Sequence, residues 1–181
     1  IALLSCNCHE YIAAYFGIIR AGGCVLPVNN MLTHEEVEFI LQDAGVTAVF
    51  YDGECSNTVH KLQQRDRESR QYHALAETVQ KFLPSGPLPE FPRSDPDDVS
   101  TILYTSGTTG RPKGALLTHR NIIANALASN EVIHISPKDR FVVFLPLFHS
   151  FTFTVCAVLP LLRLGQPVLE LGGADGAAGA Q

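Results

Sequence analysis

Between Tyr104 and Gly114 the chain reads Tyr-Thr-Ser-Gly-Thr-Thr-Gly-Arg-Pro-Lys-Gly. Residue types of this kind, packed this closely, suit a polyphosphate. Gly107 and Gly110 let backbone N–H groups turn toward an anion without a Cβ in the way. The hydroxyls of Thr105, Ser106, Thr108 and Thr109 can donate to phosphate oxygens or reach a phosphate-bound Mg²⁺. Lys113 adds a compact positive charge. The loop is not a Walker A motif. Counted from Gly107, Pro112 stands where the second Gly of G-x-x-x-x-G-K-[ST] belongs, and Gly114 follows the Lys where Ser or Thr belongs. An ordinary solvated turn needs only a Gly or Pro at one or two places, which leaves most of this order unexplained.

Other residues carry weaker signals. His149, between Phe148 and Ser150 at an expected helix start, can gate or orient a ligand, or serve as a structural His. Arg111 reads as an exposed charge at a loop tip, and His119, Arg120 and Asn121 as helix-start surface. Cys6-Asn7-Cys8-His9 could begin a metal site, yet no second ligand pair follows at a useful spacing. The five cysteines (Cys6, Cys8, Cys24, Cys55 and Cys156) are odd in number and scattered, so buried or reduced thiols are expected, and with them a cytoplasmic setting.

Helices and strands must position these groups. Tyr11, Ile12, Tyr15, Phe16, Ile18 and Ile19 recur at helical spacing over residues 10–21, and Gly22-Gly23 ends that helix. Cys24–Val28 reads as a short buried strand. Thr33-His34-Glu35-Glu36 is a capping box opening a helix with Val37, Ile40, Leu41 and Ala44, stopped by Gly45. Val46–Tyr51 is the next strand, so the first fifty residues read α-β-α-β, a layered α/β pattern. Residues 53–82 look less regular, with a helix near 72–82. Val99–Tyr104 and Ala115–Leu117 are strands flanking the glycine-rich loop, so the loop joins two strands. Thr118 is placed to cap a helix over 119–130 that buries Ile122, Ile123, Ala126 and Leu127. A strand over Arg140–Leu145, a helix over 149–163 and a strand over Gln166–Leu171 complete the pattern.

Residues 104–114 resemble the signature loop of the adenylate-forming (AMP-binding) superfamily, which includes acyl-CoA synthetases, luciferases and the adenylation domains of peptide synthetases. Gly17-Ile18-Ile19-Arg20-Ala21-Gly22-Gly23 with Pro27-Val28-Asn29 is similar to that family's early region, and Leu145-Pro146-Leu147-Phe148-His149-Ser150-Phe151 to its Pro-x-Phe-His segment. Asn29 and Thr33-x-x-Glu36 look more like long-chain fatty-acyl-CoA synthetases than peptide-synthetase domains. The resemblance implies a layered α/β/α part of the family's large N-terminal domain. It also implies two-step chemistry. A carboxylate, expected to be a fatty acid, attacks the α-phosphate of Mg·ATP; coenzyme A then displaces AMP. By this likeness Thr105, Ser106, Gly107, Thr108, Thr109, Gly110 and Lys113 hold the β- and γ-phosphates, Thr105 also touches Mg²⁺, and His149 sits near the acyl-carboxylate pocket. Thr152 departs from the family pattern, which often has Gly near that position. The family's adenine pocket, Mg²⁺-binding glutamate, ribose-binding aspartate and C-terminal lysine match nothing in this chain.

Composition sets outer limits. Of 181 residues, 46% are hydrophobic and 17% charged, enough for a core and against intrinsic disorder. The net charge of −5 argues against a general nucleic-acid binder. Phe141–Leu162 carries no formal charge, but His149, Ser150, Thr152 and Thr154, with Pro146 and Pro160, point away from a transmembrane span; peripheral membrane contact and oligomeric state stay open. The expected organisation is a partial AMP-binding domain over 1–172, with a stiff Pro-rich surface connector at 84–98, then a disordered Gly/Ala tail over 173–181. The first residue is Ile1, and the expected reading is an amino-terminal fragment that is inactive alone. Another adenylating enzyme, or a short non-catalytic pseudoenzyme, are the alternatives.

Overall fold

A computed structural model describes residues 1–66, 70–81, 86–87, 90–105, 111–136, 138–164 and 169–171. They fall into two compact units, Ile1–His119 and Arg120–Gln181. The first is built on a parallel sheet of four strands, β1 (Ala2–Leu4), β2 (Leu26–Val28), β3 (Ala48–Tyr51) and β4 (Gln71–Ala74), in the order β2-β1-β3-β4. Parallel neighbours require crossovers. They are supplied by α1 (His9–Arg20) between β1 and β2, α2 (His34–Asp43) between β2 and β3, and α3 (Ser56–Arg65) between β3 and β4. Another helix, α4 (Leu75–Lys81), follows β4 and packs with α1.

Alternation along the strands splits the core into two layers. Ala2, Leu4, Leu26, Val28 and Val49 pack with Val37, Ile40 and Leu41 of α2 and Val59 and Leu62 of α3. Leu3 points the other way, and α1 buries Tyr11, Tyr15 and Ile18. The layered α/β class expected from the pattern is what forms.

Both early helices end as their sequences dictate. Gly22 and Gly45 adopt left-handed φ of 79° and 60°. Each completes a Schellman turn: Gly23 N donates to Ile18 O and Gly22 N to Ile19 O, while Val46 N donates to Leu41 O and Gly45 N to Gln42 O. At the start of α2, Thr33 Oγ1 accepts from Glu36 N and Glu36 Oε2 accepts from Thr33 N, closing the capping box. The described end of the Pro-rich segment leans on α1, with the Arg20 guanidinium 4.8 Å from the Phe91 ring centre.

Several elements differ from expectation. The order is β-α-β-α-β, because Ala2–Leu4 forms a strand too short to show a period. A helix, α3, occupies Ser56–Arg65, where irregular chain was expected. The helix expected near 72–82 begins only at Leu75, since Gln71–Ala74 pairs with Ala48–Tyr51. Gln71 N donates to Thr47 O as that ladder opens, and a neighbouring strand overrides a weak helical pattern.

The hairpin β5 (Val99–Thr105) and β6 (Lys113–Thr118) completes the first unit, each strand running further than the apolar residues alone suggested. The second unit holds α5 (His119–Ile133), a parallel pair β7 (Phe141–Val143) and β8 (Leu169–Leu171), and a helix in three parts. These are α6 (Ser150–Phe153), one π turn (Thr154–Val158) and α7 (Leu159–Leu164). Within it Val143, Leu147, Phe153, Ala157, Val158 and Leu159 are buried. The expected buried face of α5 is corrected: only Ala126 is buried, and Ile123 and Leu127 are exposed. Strand β7 stops at Val143, leaving Phe144 and Leu145 exposed beyond it. No helix among the described residues is long and apolar enough to cross a membrane.

Candidate functional site

The site is built from the mouth of the β5–β6 hairpin. The strands run antiparallel with Thr105 opposite Lys113 and Tyr104 opposite Gly114. Directly opposed residues share a face, so Thr105 and Lys113 are register partners on one face at the hairpin's loop end. Both are exposed. The segment they enclose joins two strands, as the sequence implied. Ser106, Gly107, Thr108, Thr109 and Gly110 lie outside the described residues.

The hairpin is rooted in the sheet of the first unit. Val25, just before β2, forms a parallel bridge with Thr101. Val25 N donates to Ser100 O at 2.8 Å and Ile102 N to Val25 O at 2.9 Å. The Tyr15 hydroxyl of α1 and Thr101 Oγ1 form a buried hydrogen bond at 2.5 Å. Burial pushes the Tyr15 phenol up to about 12, although the Thr101 bond pulls the other way. Nearer the mouth, the Tyr104 hydroxyl donates to Asp43 Oδ2 at the end of α2. Burial, with the Asp43 carboxylate, raises this phenol to about 12 also.

His149 belongs to the second unit, where it caps α6 in extended conformation. Its N donates to Pro146 O at 3.1 Å, its carbonyl accepts from Phe153 N at 3.0 Å, and the residue is exposed. Three positions on, the Thr152 hydroxyl is buried with no hydrogen-bond partner among the described residues. Of the sequence candidates, Thr105 and Lys113 are therefore brought together; His149 stands in its own unit. Arg111 is exposed, as a loop-tip charge would be.

Sequence reading passed over Asp52. Its Oδ2 accepts from Ser5 Oγ at 3.0 Å and from Cys6 N at 2.5 Å, and its Oδ1 accepts from Cys55 N at 3.0 Å. This carboxylate joins the carboxyl ends of β1 and β3. The Asp52-Gly53 pair, a turn signal with a capping side chain, was the available clue. All five thiols sit above the usual range, burial being the first cause for each, so neutral thiols rather than thiolates occupy these positions at neutral pH. No group of three metal-ligating side chains occurs among the described residues.

Comparison with known proteins places this geometry. The chain is 31% identical to the long-chain-fatty-acid–CoA ligase of Escherichia coli O157:H7 over 93% of its length, and spans 36% of that protein. Its fold is similar to an inhibitor-bound N-terminal domain of FACL13 from Mycobacterium tuberculosis, with a TM-score of 0.76 at 27% identity, covering 94% of this chain and 42% of that one. It is also similar to the ATP-bound RpMatB–BxBclM chimera B3, with a TM-score of 0.80 at 26% identity, covering 96% of this chain and 35% of the other. The model of the AMP-binding enzyme family matches residues 1–175. That match spans nearly every residue, and the chain belongs to the AMP-binding enzyme family.

Proposed function

We propose that this chain carries the phosphate-binding part of an ATP-dependent acyl-CoA synthetase, one acting on a long-chain fatty acid. The observation that carries the reading is the Thr105–Lys113 register pair, which puts a hydroxyl residue opposite a cationic one where a Gly/Ser/Thr segment begins and ends. The likeness to the E. coli ligase supports the substrate class.

In this reading a carboxylate oxygen attacks the α-phosphorus of ATP. The bond to the β-phosphate oxygen breaks, giving acyl-AMP and pyrophosphate. The sulfur of coenzyme A then attacks the acyl carbon and AMP leaves. Such displacement asks the protein for position and charge neutralisation rather than covalent help. Lys113 balances charge on the departing pyrophosphate, and hydroxyls and backbone N–H groups of 105–110 hold its oxygens. The exposed hydroxyl of Thr105 would be an added ligand for a phosphate-bound Mg²⁺, which would offset phosphate charge. His149 orients or gates the carboxylate. Thr152, bulkier than the Gly often found near there in the family, narrows the acyl path. The chain spans 36% of the ligase it resembles, which supports the reading that the 181 residues are inactive alone.

The test is ATP–pyrophosphate exchange by the complete enzyme with a panel of carboxylic acids. Exchange with fatty acids, falling at least about tenfold in Lys113→Ala, is expected, since the substitution removes a charge acting at the phosphates. Exchange supported by amino acids alone would sink the fatty-acid reading, and an unchanged rate in Lys113→Ala would remove that residue's role.

A further inference from the structure

The rung next to Thr105 and Lys113 is fixed by a helix distant in sequence. We infer that Asp43 is a positioning residue for the Thr105–Lys113 pair, acting through Tyr104. The inference rests on the phosphate-binding reading above.

Three observations carry it. First, Tyr104 faces Gly114 one rung inside the Thr105–Lys113 pair, so displacement of one rung moves the next. Second, the Tyr104 ring lies across Gly114. A Cβ there would stand 3.1 and 3.2 Å from Tyr104 Cε2 and Cζ, and 2.9 Å from Ile102 Cγ2. The missing side chain at Gly114 is what lets the ring cross β6 and set its hydroxyl on Asp43 Oδ2. Third, Asp43 occupies an unfavourable place for its charge. It is the final residue of α2, whose last turn has no basic residue, so its carboxylate meets the negative end of the helix dipole. The phenol's O–H offsets this, and a residue that breaks a local rule while serving a distant contact marks a functional constraint.

The anchor is itself rigid. Helix α2 has a closed capping box at Thr33 and Glu36 and buries Val37, Ile40 and Leu41. A phenol is protonated at neutral pH, and the rise to about 12 keeps this one a donor well into the alkaline range. Asp43 touches neither nucleotide nor acid in this scheme. It holds the ring, the ring covers Gly114, and the flanking hydroxyl and ammonium keep the spacing a phosphate needs.

The test uses the 181-residue chain with Asp43→Ala, Tyr104→Phe, the double variant and Asp43→Asn. Amide hydrogen exchange over residues 113–118 reads the tether without a ligand. Titration with inorganic pyrophosphate and Mg²⁺ reads the site. Exchange roughly three- to tenfold faster is expected in Asp43→Ala and Tyr104→Phe, with pyrophosphate affinity lowered by a similar factor and the double variant no worse than either single one. Asp43→Asn loses the charge but keeps an oxygen acceptor, so near-parental behaviour is expected and separates tether from charge. Unchanged exchange in Asp43→Ala, or strictly additive losses in the double variant, overturns the inference. If the parent chain binds no pyrophosphate while exchange responds as expected, the phosphate reading fails and the Asp43–Tyr104 tether stands.

Discussion

Tyr15 shows how one buried phenol ties a helix to the strand that bears the loop. Its hydroxyl pairs with Thr101 Oγ1 inside the protein, and its pKa rises from 10.0 to about 12. An unfolded chain would release that proton near 10, whereas the folded chain keeps it to about 12. The stabilisation is thus fully present below pH 10 and is lost as pH climbs toward 12. Tyr104 adds to the same window. The midpoint of urea unfolding is expected to fall steadily between those pH values and more gently in Tyr15→Phe. A midpoint that stays level across that range would contradict it. At neutral pH, Tyr15→Phe should cost about 1–2 kcal/mol, because Thr101 loses its buried partner. Lys113 and Thr105 stand out as candidates in the sequence because the motif is local and depends on residue types in order. Tyr15–Thr101 and Tyr104–Asp43 do not, for each joins residues far apart in the chain and neither end has a pattern of its own.

Among the elements, boundaries with side-chain or glycine signals were legible, and short strands were not. Thr33-x-x-Glu36, Gly22 and Gly45 each specify a helix end through their own hydrogen bonds or φ. Strands β1 and β4 are three and four residues long, too short for alternation to register, and exist because neighbours supply the ladder. The exposed stripe on α5 shows the converse: apolar spacing gives a helix a face but does not provide what covers it. The junction at Asp52 is the clearest element-level prediction. Asp52→Ala would remove the acceptor of Cys6 N and one of the partners of Ser5 Oγ and Cys55 N, which keep Cys6 O and Asp52 O, at a cost of about 1–3 kcal/mol. Denaturant unfolding monitored by circular dichroism measures it; a loss well below about 1 kcal/mol would mean water takes over these donors without penalty.

For the whole molecule, the two units differ in how well they hide apolar surface. The first has a two-layered core, whereas the second leaves Val132, Phe144 and Phe151 exposed at 82%, 76% and 63%. Exposed apolar side chains in such numbers favour association. The 181-residue chain is expected to bind a hydrophobic dye and to sediment increasingly as larger species with concentration, with both effects reduced in Val132→Ser/Phe144→Ser. A monodisperse, dye-silent parent chain would contradict this. The hairpin root has a mechanical consequence as well. Among the described residues strand β5 meets the sheet at one bridge, Val25–Thr101, and one rung fixes a point without resisting tilt. Tyr104 supplies a second pin three residues on, roughly 10 Å along the strand. A lever held at two points cannot swing, and Thr105 projects only one residue past the outer pin, so it has almost no arm to amplify thermal rocking.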